Sequence, residues 1–210
     1  EETSGTPPVE VTISNSVLAL VFHSQGAALL EAVLMQYPMT RDPNGGPVRL
    51  DFRTAPALVY EGLRGVGEHA PMAVRCWTNG AQLGLEFERV TSQGLKFRRT
   101  VEMPPDGYLI RIVDTITNEG TSAASTEPLW IRLGEMGYLP GESRAGGMEY
   151  LGVDSLSPGE PVTYWGRRLP SFFHAAQGER VPLTVAAPLL AENRPAEWVA
   201  VKNKYFAQIL

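Results

Sequence analysis

A single cysteine, Cys76, stands in 210 residues, which excludes an internal disulfide. It lies in the apolar run Met72–Trp77, where it reads as a buried, inert thiol. Histidine is nearly as scarce. His23, His69 and His174 are widely scattered, without the His-x-His or His-x-x-x-His spacing of a metal site. There is no Gly-x-Ser-x-Gly elbow to expose a nucleophile. Gly62-Leu63-Arg64-Gly65-Val66-Gly67 is rich in glycine but has no strand-to-helix setting in which to cradle phosphate. No window approaches 18 consecutive apolar residues, so this sequence holds no helical membrane span. Glu1–Pro8 has neither the basic start nor the apolar run of a signal peptide; any targeting segment is expected outside this sequence. Basic residues are outnumbered, 18 Lys and Arg against 23 Asp and Glu. The resulting net charge of -5 disfavours a nucleic-acid surface or strong adhesion to anionic lipid. The short cluster Lys96, Arg98, Arg99 reads as the wet face of a strand.

What the chain does have is turns and short alternating runs. Gly 21 and Pro 17 are both high, as suits many short strands, and 43% apolar with 20% charged residues argues for an ordered core. Glu1–Pro8 reads as a tether and residues 9–210 as a single β-rich domain. Val9–Ser14 alternates, and Val17–Phe22 has apolar residues on both faces, which predicts burial on two sides. Ala27–Tyr37 would suit a strand or a short helix by composition; the turn Ser24-Gln25-Gly26 before it favours a hairpin. Asp42–Pro47 is a loop, with weak strands near Val48–Phe52 and Leu58–Tyr60.

Met72–Thr78, Asn79-Gly80 and Ala81–Val90 form the clearest hairpin signal, since Asn-Gly supports a type I′ turn. Leu95–Glu102 then leads through Pro104-Pro105-Asp106-Gly107 into Tyr108–Thr117, with Tyr108, Ile110, Ile112 and Ile116 on one side. Glu127–Leu133 reads as a further strand and Gly134–Gly147 as an irregular connection. Short strands are predicted at Val162–Trp165, Ser171–His174 and Val181–Val185. Trp198–Leu210 fits a strand, although Trp198, Val201, Tyr205 and Ile209 also fall at helical spacing.

Four stretches in order resemble the large periplasmic domain of YidC-type membrane protein insertases. They are Val11–Pro38, with its Gly-containing turn and closing Tyr37-Pro38; Leu95–Gly120, a basic strand turning through Asp-Gly-Tyr into a long return strand; the weaker Gly178–Ala187; and Trp198–Leu210, where a Trp-led strand reaches Tyr205-Phe206. The resemblance implies an all-β, antiparallel β-supersandwich of the galactose-mutarotase-like architecture, with few or no helices. It implies a non-catalytic domain on the periplasmic face of the bacterial inner membrane, without cofactors, its membrane helices lying outside this sequence. The implied partners are other translocation-machinery proteins and nascent membrane proteins. The signature residues Tyr37, Pro38, Trp198, Tyr205 and Phe206 are expected to be structural. The family's domain continues past the Tyr-Phe signature, so further C-terminal strands are expected beyond Leu210.

The competing reading from architecture alone is a sugar-binding or aldose-epimerase-like protein. It would need His23 or His174 to meet a carboxylate such as Glu135 or Glu149 in a cleft. Tyr164 and Trp165 could then stack on sugar rings.

Overall fold

The computed structural model describes residues 7–40, 42, 44–122, 129–136, 152–156, 163–166, 181–182, 198–202 and 207–209. Among them every regular element is a strand, and all the strand pairings are antiparallel. The first sheet is a meander of β1 (Glu10–Ser14), β2 (Leu18–His23), β3 (Ala28–Pro38) and β4 (Pro47–Asp51). A short strand, β5 (Val59–Glu61), precedes a second meander of β6 (Ala73–Asn79), β7 (Gln82–Val90), β8 (Leu95–Met103) and β9 (Arg111–Asn118). β10 (Trp130–Arg132) pairs back onto β5, and β11 (Glu135–Met136) pairs with β14 (Val181–Pro182). A third sheet runs in the order β13 (Thr163–Gly166), β12 (Gly152–Leu156), β15 (Trp198–Lys202), β16 (Ala207–Ile209). Trp198–Leu210 is therefore strand rather than helix where it is described, folded into two strands instead of one. The strand at Gly152–Leu156 has no counterpart in the sequence reading, and Glu135–Met136 puts a short strand inside the predicted connection.

The two meanders face each other across one core. Period-two alternation sends Ile13, Leu20 and Phe22 inward from the first sheet and Leu85, Phe87, Phe97, Val101 and Met103 inward from the second, all nearly inaccessible. The rings of Phe22 and Phe87 meet at 5.8 Å between centroids. Each such side chain contributes about 1.5–3 kcal/mol by leaving water, so this seam sets the register of both sheets. The opposite face of β2, with Ala19, Val21 and His23, is half-buried. Two-sided burial of this strand is thus partial.

The hairpin at Asn79-Gly80 forms one residue later than its sequence signal. Asn79 pairs with Gln82, leaving Gly80 and Ala81 as the loop, and Gly80 (φ 61°) takes the first central position, where a type II′ turn favours glycine. The strand predicted over Tyr108–Thr117 begins at Arg111. Tyr108 lies exposed in the connection before it, Ile112 packs at the core's margin and Ile116 is exposed.

Two expectations are corrected. Arg99 does not share the wet face of Lys96 and Arg98: it has the inward parity of Leu95, Phe97, Val101 and Met103, and its side chain is 0% exposed. Cys76 is exposed, not buried. It sits opposite the inward-facing Leu85, but β6 is an edge strand with only β7 beside it, so its inward side reaches past the covered core.

Candidate functional site: a buried clamp and an uncharged tip

A charge at the centre of an apolar seam must be paired, and Arg99 is. Its Nε and Nη2 donate to Asp114 Oδ1 and Oδ2 at 2.8 and 2.6 Å, a bidentate pair between residues directly opposite on β8 and β9. Its Nη1 donates to the carbonyls of Ala27 and Leu58 at 2.9 and 2.7 Å. Among the described residues, these are the two non-glycine positions with positive φ, 48° and 65°. Such backbone costs about 1–2 kcal/mol for a residue with a Cβ. A hydrogen bond from a charged donor contributes about 1.5–3 kcal/mol. The guanidinium is thus placed to hold both bends, one ending the β2–β3 turn and the other leading into β5.

Tyr60 completes the group. Its hydroxyl donates to Asp114 Oδ2 at 2.9 Å, and its ring stands edge-on to Phe97 with the Arg99 guanidinium 5.6 Å from its centre. Burial, then the charge and hydrogen bond of Asp114, push the Tyr60 hydroxyl up to about 12. Every member is partnered, so this constellation ties the two sheets and β5 together and keeps the polar interior structural.

The outer surfaces carry paired charge. Glu10 accepts from Arg53 at 2.6 Å, and Arg53 also lies 3.8 Å from Glu31, which Arg49 contacts at 2.7 Å. On the second sheet Glu88 lies between Lys96 and Arg98 at 3.2 and 3.0 Å, and the hydrogen bond from Arg98 holds its carboxyl below the ordinary range. Arg132 bridges Glu61 and Glu68.

One end of the sandwich differs in character. The β1–β2 turn and the β3–β4 connection close the first sheet there, and the β6–β7 turn and the β8–β9 connection close the second. Asn15 joins the sheets: its Oδ1 accepts from the N–H groups of Val17 and Leu18, and its Nδ2 donates to the carbonyls of Pro104 and Gly107. Tyr37, at the end of β3, meets Tyr108 with ring centroids 5.9 Å apart. Both rings are about half-exposed, Met35 is 53% exposed, and Leu109 projects beyond them at 84%.

The predicted site residues are placed as follows. Tyr37 and Pro38 end β3 at this tip, and Trp198 opens β15. Tyr205 and Phe206 lie outside the described residues, as do His174, Glu149 and the predicted strand Ser171–His174. His23 ends β2, its Nδ1 accepting from the Gln25 N–H at 3.2 Å, and its cross-strand neighbour Glu10 is engaged by Arg53. Tyr164 and Trp165 lie on β13 opposite Asp154 and Val153. Among the described residues no three potential metal ligands gather. The Tyr37–Tyr108 contact escaped sequence reasoning, because the pairing depends on how two sheets stack.

Fold and surface together define a large antiparallel β-sandwich with a polar interior used as scaffold and its open apolar surface at one tip. Comparison with known proteins gives the family. The family model described as the YidC periplasmic domain matches residues 10–158. The chain belongs to this family. Among similar curated proteins, the membrane protein insertase YidC of Citrifermentans bemidjiense is 31% identical over 122 residues, 54% of this chain and 23% of that protein. Its counterpart in Bordetella avium is 34% identical over 125 residues, covering 54% and 22%. That of Bordetella petrii is 30% identical over 158 residues, covering 69% and 27%. The chain thus spans about a quarter of the length of the curated relatives it matches.

Proposed function

We propose that this chain serves as the non-catalytic extracytoplasmic part of a membrane protein insertase, at the periplasmic face of the bacterial inner membrane. In this reading it docks other translocation-machinery proteins, or transiently holds segments of nascent membrane proteins while they insert and fold. The observation that carries the reading is the family match over residues 10–158, together with relatives named as membrane protein insertases. Antiparallel sandwiches offer sheet faces and edges to extended peptides and partner surfaces, and β6 and β9 are edge strands of their sheet among the described residues. Buried polar groups that are all engaged in holding the sheets together fit a scaffold better than a reaction centre.

The test is photo-cross-linking in cells from positions on the exposed face, for example Val113, in the full polypeptide that carries this domain. Adducts with translocation components or with nascent inner-membrane proteins are expected. Saturable turnover of an aldose by the purified domain, with no such adducts, would overturn the reading.

A further inference from the structure

The four connections at the Asn15 end are poor in charge. Among their described residues only Asp42 and Asp106 are ionisable at neutral pH, and Arg41 adjoins Asp42 in the chain. The flanks of the same sheets are laced with ion pairs, so the contrast is local. Leu109 is the most exposed of the large hydrophobic residues described, at 84%, and it stands on a convex tip instead of lining a groove. Two tyrosines stack below it, and a methionine is open to water on the adjoining strand. The tip is also held firmly. Asn15 fixes the carbonyls of Pro104 and Gly107, and Met39 and Ile110 anchor the two long connections to the core's margin.

A protruding leucine above a tyrosine pair, without basic residues, matches the chemistry of the bilayer interface. There an apolar tip enters the acyl boundary while tyrosine rings, apolar in body and polar at the hydroxyl, rest at headgroup level. A polar protein surface would gain little from so convex and uncharged a point. Attraction to anionic lipid does not suit it either, since the charged residues described here are acidic.

We propose that the tip formed by Tyr37, Tyr108 and Leu109 rests in the interfacial layer of a zwitterionic bilayer and fixes how the sandwich is oriented over the membrane. This rests on the reading of the chain as the extracytoplasmic part of a membrane-embedded insertase.

The test uses the full polypeptide reconstituted in phosphatidylcholine–phosphatidylethanolamine vesicles. An environment-sensitive fluorophore is attached at Leu109→Cys in a Cys76→Ser background, any other cysteine of that polypeptide being replaced as well. A second label at Ser92→Cys, in the β7–β8 turn at the opposite end, is the reference. The expected result is a blue-shifted emission at 109, quenched by spin labels placed shallow in the bilayer and insensitive to salt, with the label at 92 remaining in water. A label at Gln36→Cys should show a smaller shift that Leu109→Asp removes; both sites are exposed, so the fold is retained. If the polypeptide is membrane-integrated and the label at 109 stays in water, or shifts only when a partner protein is added, the tip proposal is overturned while the insertase reading stands. If the polypeptide does not integrate at all, the insertase reading itself falls, and the proposal with it.

Discussion

Arg99 and Asp114 stand directly opposite each other on neighbouring strands and close a two-pronged ion pair inside the sandwich. A cross-strand pair is set by register alone, so a one-residue slip of β9 would turn Asp114 outward and strand the guanidinium. The same guanidinium reaches two carbonyls in other parts of the chain, so it links elements far apart in sequence.

Arg99→Met keeps much of the volume but leaves Asp114 with only the Tyr60 hydroxyl and frees the carbonyls of Ala27 and Leu58. Breaking a buried pair by removing one partner typically costs about 3–5 kcal/mol, and urea denaturation of the purified domain should show a loss of that size. Asp114→Leu should be comparably harmful. The double variant should lose distinctly less than the sum, because no charge is then left unpaired. A loss below about 1 kcal/mol for Arg99→Met, in the range of ordinary surface changes, would show that the clamp does not hold the bends.

Tyr60 predicts how the clamp responds to alkali. Its folded pKa of about 12 lies above the ordinary tyrosine value of about 10. Across that window the native state keeps a proton that the unfolded chain has lost. The contribution is therefore complete below about pH 10 and is lost as pH rises toward 12. Urea midpoints measured from pH 8 to 11 should fall more steeply for the parent than for Tyr60→Phe. Equal slopes would mean that the hydroxyl is not held by Asp114.

Both sites bear on what the sequence made legible. The alternation Leu95, Phe97, Arg99, Val101, Met103 was there to read, and strand parity placed Arg99 inward; its charge argued it outward, yet Asp114 on β9 provides the pairing that burial requires. Local turn chemistry was readable too: Gly26 turns β2 into β3, and Gly80 turns β6 into β7. The Tyr37–Tyr108 tip was not, because those residues come together only when two separate meanders stack. Edge position was also hidden, and it decides the environment of Cys76.

Cys76 should react stoichiometrically with a thiol reagent in the native domain, without denaturant. Its strand lies at the sheet edge and the residue is exposed. A rate that tracks global unfolding would instead put the thiol inside. The reaction also offers a labelling handle that leaves the Arg99 clamp untouched.

Trp77 lies flat across Gly84, its cross-strand partner, on the outer face of the second sheet. A Cβ built at position 84 would fall 2.1 Å from the indole Cε2 and Cζ2 atoms, so an alanine there must displace the ring. Gly84→Ala is expected to cost about 1–3 kcal/mol, the usual penalty of overpacking, and to shift the tryptophan emission. Combining it with Trp77→Val should recover part of the loss, since the clash disappears with the ring. A neutral Gly84→Ala would mean that the indole moves aside freely.

Asn15 gives the last and sharpest test, because all four of its hydrogen-bonding positions are used: two as acceptor within its own turn and two as donor to the β8–β9 connection. Asn15→Ala removes all four and should cost about 2 kcal/mol, within the range for caps and partly buried hydrogen bonds. Asn15→Asp separates the two halves of the role. The carboxylate keeps both acceptor bonds but turns a negative oxygen toward the carbonyls of Pro104 and Gly107, so at neutral pH it should be no more stable than alanine. Those carbonyls raise the carboxyl's folded pKa above its unfolded value, and a raised pKa means that stability returns as pH falls through it. The aspartate variant should therefore gain on the alanine variant in acid, where its protonated oxygen can again donate to a carbonyl. Urea midpoints of the two variants between pH 7 and 4 would show the curves converging or crossing in that direction. Parallel curves would mean that the Nδ2 bonds contribute nothing to joining the sheets.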